Sequence, residues 1–303
     1  MIGEILSLLS AASFGLAGAA IAKGASDARG DNGAFLSIVL TMIFAAVLWL
    51  GTGGTSSLTG DTLILVTGSG FFVASGLLAT VFGRLTNFKT IALAGAIRAS
   101  LFRRLIPVFA TILAVLILDE RYPILTVIGM LLILGSIGFT MREKAPAVFG
   151  NFKALTTSRI QAGAIFGVAC AFFYASGYIA RKAALEHVPD AAFGAMVGAV
   201  TGIVWYICAA PFSTSFRNSL VGVLRDPGPW QWVAAASLSS GQVLLFFALM
   251  YTDVAVVAII GTTEIFVGAY LAAYLFKTEP PPGGYLITAT LLATAGVVLV
   301  ALG

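Results

Sequence analysis

The sequence predicts an all-α integral membrane protein with ten transmembrane helices, arranged as two inverted five-helix repeats. Two properties of the chain predict this class. Of the 303 residues, 59% are hydrophobic and only 10% are charged, whereas a soluble domain carries about 25% charged residues. Apolar runs close to the roughly 20 residues that cross a bilayer occupy most of the chain, and they leave no room for a separate soluble domain.

The predicted helices are charge-poor runs separated by short segments rich in Gly, Pro and charged residues. They are Ile5–Ala22, Ala34–Gly51, Thr62–Gly83, Ala96–Ile117, Ile124–Thr140, Gln161–Ala180, Ala192–Pro211, Gln231–Met250, Val254–Phe276 and Gly284–Leu302. The most polar segment lies at the middle of the chain. We therefore divide the chain into a first repeat (1–144), a linker (145–160) and a second repeat (161–303).

The two halves share short sequence features in the same order. Residues 20–25 (AIAKGA) align with residues 178–183 (YIARKA), and an Ala-Phe pair begins the second helix of each half. Residues 118–120 align with 277–279, and each of these segments ends in Glu before a final Gly-containing helix. Because each half has an odd number of predicted helices, the second half enters the membrane from the opposite side. Secondary transporters are commonly built from such inverted repeats, with the solute bound near the membrane midplane.

The end of each half resembles a known family. Residues 104–121 (RLIPVFATILAVLILDER) resemble the Pro-Val-Phe helix that ends in a Glu turn in EamA-type permeases of the drug/metabolite transporter superfamily. Residues 264–279 (EIFVGAYLAAYLFKTE) keep the length and the final Glu but lack the proline. The resemblance implies a ten-helix transporter. In it, Glu120 and Glu279 would be structural turn residues at the membrane edge.

Ionisable residues inside the predicted helices are the first candidates for a functional site, because charges in a bilayer are costly. Arg103 and Arg104 lie about two turns into the predicted fourth helix. Glu264 is deep within the predicted ninth helix, and counting back from the final Glu of each repeat places it opposite Leu105, next to Arg104. We therefore expect an Arg–Glu pair near the pseudo-twofold axis. The pair could break and form during transport, Glu264 could titrate with a coupled proton, or the pair could be static and fix helix packing.

The remaining positive charge favours an anionic solute. In-membrane arginines outnumber in-membrane acids, and Arg98 or Arg103 would bind a carboxylate or phosphate through the planar guanidinium. Arg84 lies near the end of the third helix and could reach the interface instead. The resemblance implies a cavity formed by helices 1, 3, 4, 6, 8 and 9. Its further lining candidates, each of which could equally be a packing residue, are Ser13, Phe14, Tyr174, Tyr178, Gln242, Thr262 and Thr263.

These observations predict a secondary transporter that moves a small organic solute, bearing a carboxylate or phosphate, by alternating access. An exporter of amino acids or related zwitterions is the main alternative, because an ammonium group would need a free acid such as Glu264. A non-transporting membrane scaffold or an intramembrane enzyme is the alternative from another class. However, no nucleophile–base pair is visible, and His187, placed in a loop, is the only histidine. We expect no catalytic residue, no metal and no cofactor.

The expected partners are the solute and the lipid bilayer, with a homodimer also possible. Nucleic acid is not expected, because the chain has no run of five or six like charges. We expect a multi-pass protein of the bacterial inner membrane. Its orientation has two conflicting indications. If the termini were inside, the cytoplasmic loops would hold only Arg121, Arg181 and Lys182, so the distribution of basic loop residues favours termini outside. The resemblance implies termini inside.

Overall fold

The computed structural model describes residues 1–24, 33–54, 61–94, 102–140, 157–225, 227–278, 281 and 283–303. The structure is 86% helix, and the described residues form no strand. The prediction of an all-α fold is therefore confirmed.

The helices follow one another with short connections. They are α1 (Ile2–Gly24), α2 (Ala34–Gly51), α3 (Thr62–Ser75), α4 (Arg84–Ala94), α5 (Ile106–Leu118), α6 (Ile124–Thr140), α7 (Thr157–His187), α8 (Ala191–Ala209), α9 (Thr214–Gly222), α10 (Pro229–Tyr251), α11 (Val254–Gly261), α12 (Glu264–Tyr270) and α13 (Gly284–Leu302). Wider π-helical turns, Gly76–Gly83 and Leu271–Leu275, join α3 to α4 and extend α12.

Within the described part of the chain, eight helical stretches are long and apolar enough to cross a membrane. Two of them run through the π-helical turns, as Thr62–Asn87 and Val254–Leu275. The helix Ile106–Leu118 and the stretch Ile124–Ser136 are equally apolar but shorter. The chain is thus an integral, multi-pass membrane protein.

Two helices begin where the sequence supplies a capping group. The Asp61 carboxylate accepts a hydrogen bond from the Leu63 N–H (3.0 Å) and begins α3. The Asp190 carboxylate accepts one from the Phe193 N–H (2.9 Å) and begins α8. These bonds satisfy backbone donors that have no partner inside the first helical turn.

Glu120 caps a helix that is distant in sequence. Its carboxylate accepts hydrogen bonds from the first N–H of α11, on Val254 (2.9 Å), and from the Tyr122 hydroxyl. Burial, together with this contact to an acid, raises the pKa of Tyr122. The structural role expected for Glu120 is consistent with these contacts. Its counterpart Glu279 and most of the expected linker (145–156) lie outside the described residues.

The third and sixth predicted helices both end too early, since helical structure continues past Gly83 into α4 and past Ala180. The sixth predicted helix does not stop at Ala180 but continues to His187 as α7, so Arg181, Lys182 and His187 are helical rather than loop residues. Lys182 donates to the carbonyls of Leu249 (3.0 Å) and Thr252 (3.0 Å) at the end of α10. Cations are favourable at helix C-termini, and these contacts let a charged residue remain in the helix.

Two predicted continuous helices are interrupted. The predicted fourth helix has a turn at Arg104 and Leu105, and α5 begins only at Ile106. Pro107 explains this start, because proline suits the first helical turn but cannot bond backward into a preceding one. Arg103 and Arg104 therefore lie at a break, and not two turns inside a helix. Residues 96–101 of that prediction lie outside the described residues.

The predicted ninth helix is interrupted at Thr262 and Thr263, between α11 and α12. Each hydroxyl donates back to a carbonyl three residues earlier, on Ile259 and Ile260, at 2.7 Å. Side chains that bond to the nearby backbone compete with the regular helical ladder, and the two adjacent threonines do so at the turn.

The helices pack in a ring around a central space. α1 packs along α10, and α7 packs along α3, α4 and the π-helical turn between them. α2 packs on α8, α5 contacts α11, and α6 packs on α13. Backbone contact between α6 and α13 is close, since a Cβ at Gly129 would lie 2.6 Å from the Gly296 carbonyl oxygen.

Small residues on α8 also allow close packing within the chain. A Cβ added to Gly194 would lie 2.4 Å from the Phe72 ring, and one added to Gly202 would lie 2.9 Å from Thr80 Cγ2. Phe72 is fully buried and contacts Phe246 (ring centroids 6.1 Å apart) in the largest apolar core. This core supports one side of the central space.

Candidate functional site

A central cavity of about 390 Å³ lies where the interrupted helices meet the surrounding ring. Its wall includes both breaks, through Arg104 and Thr262, and the π-helical turn, through Ala79 and Thr80. Interrupted helices and π-helical turns are common at functional sites of membrane proteins, because they release backbone groups from the regular ladder. The local irregularities therefore coincide with this cavity.

The charges of the cavity wall are unequal. Among the described residues, four arginines and one acid line the cavity: Arg84, Arg103, Arg104, Arg181 and Glu264. An excess of fixed cations in a membrane-embedded cavity raises the local concentration of anions and disfavours cations. The wall can thus recognise a negatively charged group.

Glu264 forms an ion pair with Arg103. The Glu264 Oε1 and Arg103 Nη2 atoms lie 3.7 Å apart, so the contact is an ion pair without a short hydrogen bond. The Arg103 and Glu264 side chains are 46% and 31% exposed, and both line the cavity. The sequence predicted an Arg–Glu pair but placed Arg104 beside the acid. The break at Arg104 and Leu105 shifts the register, so the preceding residue, Arg103, faces Glu264.

Arg181 is a charged lining residue that the sequence analysis missed as a candidate. It is only 2% exposed, and its Nε donates to the Ser75 hydroxyl at 2.9 Å. Its guanidinium carbon lies 4.6 Å from the centroid of the Phe246 ring and 5.6 Å from that of Tyr178. Treating α7 as ending at Ala180 hid this residue. Its spacing from Tyr174 and Tyr178, at i+7 and i+3, was the available signal.

Gln242 faces Arg181 across the cavity wall. The Gln242 amide is assigned with its oxygen toward the guanidinium. In that orientation the oxygen accepts from Nη2 at 2.7 Å and from Nη1 at 3.1 Å. The opposite orientation would set amide N–H donors against guanidinium donors. Gln242 is half-buried and lines the cavity.

Arg84 has a different environment. Its Nη1 donates to the Ala34 carbonyl oxygen at 3.2 Å, at the start of α2. The residue lies in the helical stretch that continues past the predicted end at Gly83, and it lines the cavity. Lys89, one turn further on, is exposed and lies 4.8 Å from the centroid of the Phe166 ring. It is not a lining residue.

Hydroxyl groups from α1 and α2 complete the polar wall. Ser10 Oγ donates to the Gly241 carbonyl at 2.8 Å, and Ser239 Oγ donates to the Ser37 carbonyl at 2.8 Å. Ser10 and Ser37 line the cavity together with Thr41. Lining by α2 was not expected from the sequence. These bonds also tie α1 and α2 to α10.

The other predicted site residues divide into three groups. Phe14, Tyr174, Tyr178 and Thr262 line the cavity. The cavity wall does not include Ser13 or Thr263. The Ser13 hydroxyl donates to the Leu9 carbonyl at 2.9 Å, and the Thr263 hydroxyl donates to the Ile260 carbonyl. Arg98 lies outside the described residues. A search of the described residues for three or more clustered His, Cys, Asp or Glu side chains found no metal-binding group.

Comparisons with known proteins agree with this architecture. Residues 1–142 match the family model described as the EamA-like transporter family. A solved crystal structure, described only as that of a protein, is similar over 99% of this chain and 96% of its own, with a TM-score of 0.68 and 20% sequence identity. That likeness concerns the fold. A comparison with curated proteins found no match.

Proposed function

We propose that this protein is a secondary transporter of small organic anions. The chain belongs to the EamA-like transporter family of the drug/metabolite transporter superfamily, and it is thus a membrane transporter of that type. The observation that carries the proposal is the excess of arginine over acid in the wall of the central cavity. A guanidinium recognises carboxylate and phosphate through paired donors. Because the family is one of transporters, we propose no catalytic role for this chain.

We further propose that the chain forms ten transmembrane helices in two inverted repeats. α5 and α6 supply the two spans that are short in the described structure. The packing pattern supports this arrangement. When each helix is replaced by its counterpart in the other half, the α1–α10 contact becomes the contact of α7 with α3 and α4. The α1–α12 contact becomes the α7–α5 contact, and all of these contacts are present. The pairs α2–α8 and α6–α13 map onto themselves.

The interruptions support the same pairing. In the alignment that equates Glu120 with Glu279, the turn at Arg104 and Leu105 corresponds to residues 263 and 264, next to the turn at Thr262 and Thr263. Corresponding interruptions in two repeats point to the solute site. Alternating access would then consist of rocking one half against the other, about a cavity to which both halves contribute.

A zwitterionic amino acid is the second candidate substrate. The ion pair between Arg103 and Glu264 is long, at 3.7 Å, and both side chains are open to the cavity. A solute ammonium could therefore take Glu264 as its partner while the carboxylate binds an arginine. The two candidates differ in whether Glu264 is needed for binding.

A thermal-shift screen of the purified protein in detergent tests both candidates, since specific binding stabilises the folded state by mass action. The library contains carboxylates, phosphate esters, amino acids and neutral analogues, and each hit is repeated with Arg103→Ala and Glu264→Gln. Hits restricted to anions, followed by saturable uptake into proteoliposomes, are the expected result. Hits among zwitterions that also require Glu264 would favour the amino-acid exporter. Neutral or cationic hits that are insensitive to Arg103 would refute the anion proposal.

The family resemblance also leads us to propose a location in a bacterial inner membrane. Fractionation of cells that express a tagged chain tests the membrane, and a topology reporter fused at Gly303 tests the orientation. Recovery of the tagged chain in another membrane would refute this location.

A further inference from the structure

Arg181 is a buried cation whose neighbours are neutral. It is 2% exposed, and the ion pairs of the described residues do not include it. Its contacts are the Ser75 hydroxyl, the Gln242 amide and the rings of Phe246 and Tyr178. An ionised group in a low-dielectric interior is costly without a counter-charge. The cavity is therefore built to hold a charge that its own described side chains do not neutralise.

At one edge of the Arg181 guanidinium, the present hydrogen-bond acceptor could be replaced by another. Nε is bonded to Ser75, and aromatic rings lie against the guanidinium. The two terminal nitrogens, Nη1 and Nη2, both point to a single atom, the Gln242 side-chain oxygen. This end-on position is where a guanidinium binds carboxylate through two donors. Gln242 offers only a neutral dipole there.

A carboxylate has the planar shape of the amide group that it would replace. It binds a guanidinium more strongly than an amide oxygen does, because the hydrogen bonds are charge-assisted at both ends. Gln242 lines the cavity and is only half-buried, so its side chain has room to leave. Arg103, in contrast, already has a carboxylate partner in Glu264.

We propose that Arg181 is the carboxylate-binding subsite of the transporter, and that the substrate carboxylate displaces the Gln242 oxygen from the Nη1 and Nη2 edge. This inference rests on the proposed anion transport and narrows its substrate class to carboxylates. The subsite is separate from the Arg103–Glu264 pair. A substrate held at Arg181 lies beside aromatic rings, which suits an aromatic or other planar carboxylic acid.

The variant Gln242→Glu tests the proposal with an almost unchanged side-chain shape. It supplies a tethered carboxylate at the position assigned to the substrate, so it should compete with the substrate permanently. The probes are two matched pairs, benzoate with benzamide and phenylacetate with phenylacetamide. Each pair keeps its shape and differs in charge. Binding is measured by thermal shift and by titration calorimetry in detergent.

The wild-type protein is expected to bind each carboxylate more tightly than its amide. Gln242→Glu is expected to weaken carboxylate binding at least tenfold, and to unfold at the same or a higher temperature without ligand because Arg181 has gained a partner. Arg181→Lys, which keeps the positive charge but lacks the paired guanidinium donors, should also weaken carboxylate binding. Lys89→Gln is the control, because it removes a cation from the same membrane region but outside the cavity wall.

Two failures have different meanings. If the wild-type protein prefers the carboxylates and Gln242→Glu keeps that preference, the Arg181 subsite is refuted while anion transport stands. If the wild-type protein shows no preference for either carboxylate over its amide, both the subsite and the proposed class of substrate are refuted. Should Arg181→Lys fail to fold, Gln242→Glu still decides between these outcomes.

Discussion

Glu264→Gln separates a role of the central ion pair in transport from a role in the fold. The magnitude follows from the geometry. Arg103 and Glu264 are 3.7 Å apart, and their side chains are 46% and 31% exposed, so the pair is screened by cavity water. Pairs of this kind contribute about 0.2–1 kcal/mol to stability. Breaking a buried, well-bonded pair costs about 3–5 kcal/mol.

We therefore expect Glu264→Gln to lower stability by at most about 1 kcal/mol, which for a chain of this size is a decrease in Tm of roughly 2 °C. Transport is expected to fall at least tenfold, because the acid that balances Arg103 in the cavity is lost. The assay is uptake into proteoliposomes at matched protein content, together with thermal unfolding in detergent. Arg103→Gln and the double variant complete a double-mutant cycle.

The refuting result is specific. A decrease in Tm above about 10 °C, with the residual transport proportional to the amount of folded protein, would show that the pair is a fixed part of the fold. A double variant that recovers the stability of the wild type without recovering transport would support the functional reading. Lys89→Gln should leave both quantities unchanged.

Three further predictions concern stability. Glu120→Ala removes the acceptor for the first N–H of α11, so chemical denaturation should show a loss of about 1–2 kcal/mol; an unchanged midpoint would contradict the capping role. Burial and the nearby Glu120 carboxylate raise the pKa of Asp253. The folded protein therefore holds this proton more tightly, and stability decreases as pH rises through the folded-state pKa. Asp253→Asn should raise Tm at pH 7 but not at pH 3, and equal effects at both values would contradict the shift. Gly194→Ala places a methyl group 2.4 Å from the Phe72 ring and should cost about 1–3 kcal/mol in thermal unfolding. Gly18→Ala, with no atom within 4 Å, is its matched control, and equal losses would show that packing at Phe72 is not the cause.

Composition and apolar periodicity were sufficient to predict the class of fold and most helix boundaries. α2 and α13 begin and end at the predicted residues or within one of them. The interruptions were not predicted, because a break inside an apolar run changes neither its length nor its hydrophobicity. Pro107 and the adjacent threonines at 262 and 263 were the visible signals. Only the structure shows that each of them ends a regular hydrogen-bond ladder.

Several residues of the cavity wall were predicted, but their contacts were not, because the interruptions of the helices were not predicted. Counting residues along ideal helices placed Arg104 beside Glu264, and the turn at Leu105 moves that contact to Arg103. Arg181 was assigned to a loop because charge was taken as the end of a helix. In the structure, its charge is accommodated by Ser75, Gln242 and the Phe246 ring, which are far from it in sequence, and by the ring of the nearby Tyr178. Such long-range partners leave no local sequence signal.

In the inverted-repeat arrangement proposed above, the contact between Arg103 and Glu264 also constrains how the two halves can have diverged. A homodimer made from copies of one half would bring the arginines of both copies together near its twofold axis, where like charges repel. A chain that carries both halves can place a cation in one and an anion in the other, as this protein does. Under that arrangement, complementary charge at the centre requires two different halves, each of which depends on the other for its counter-ion.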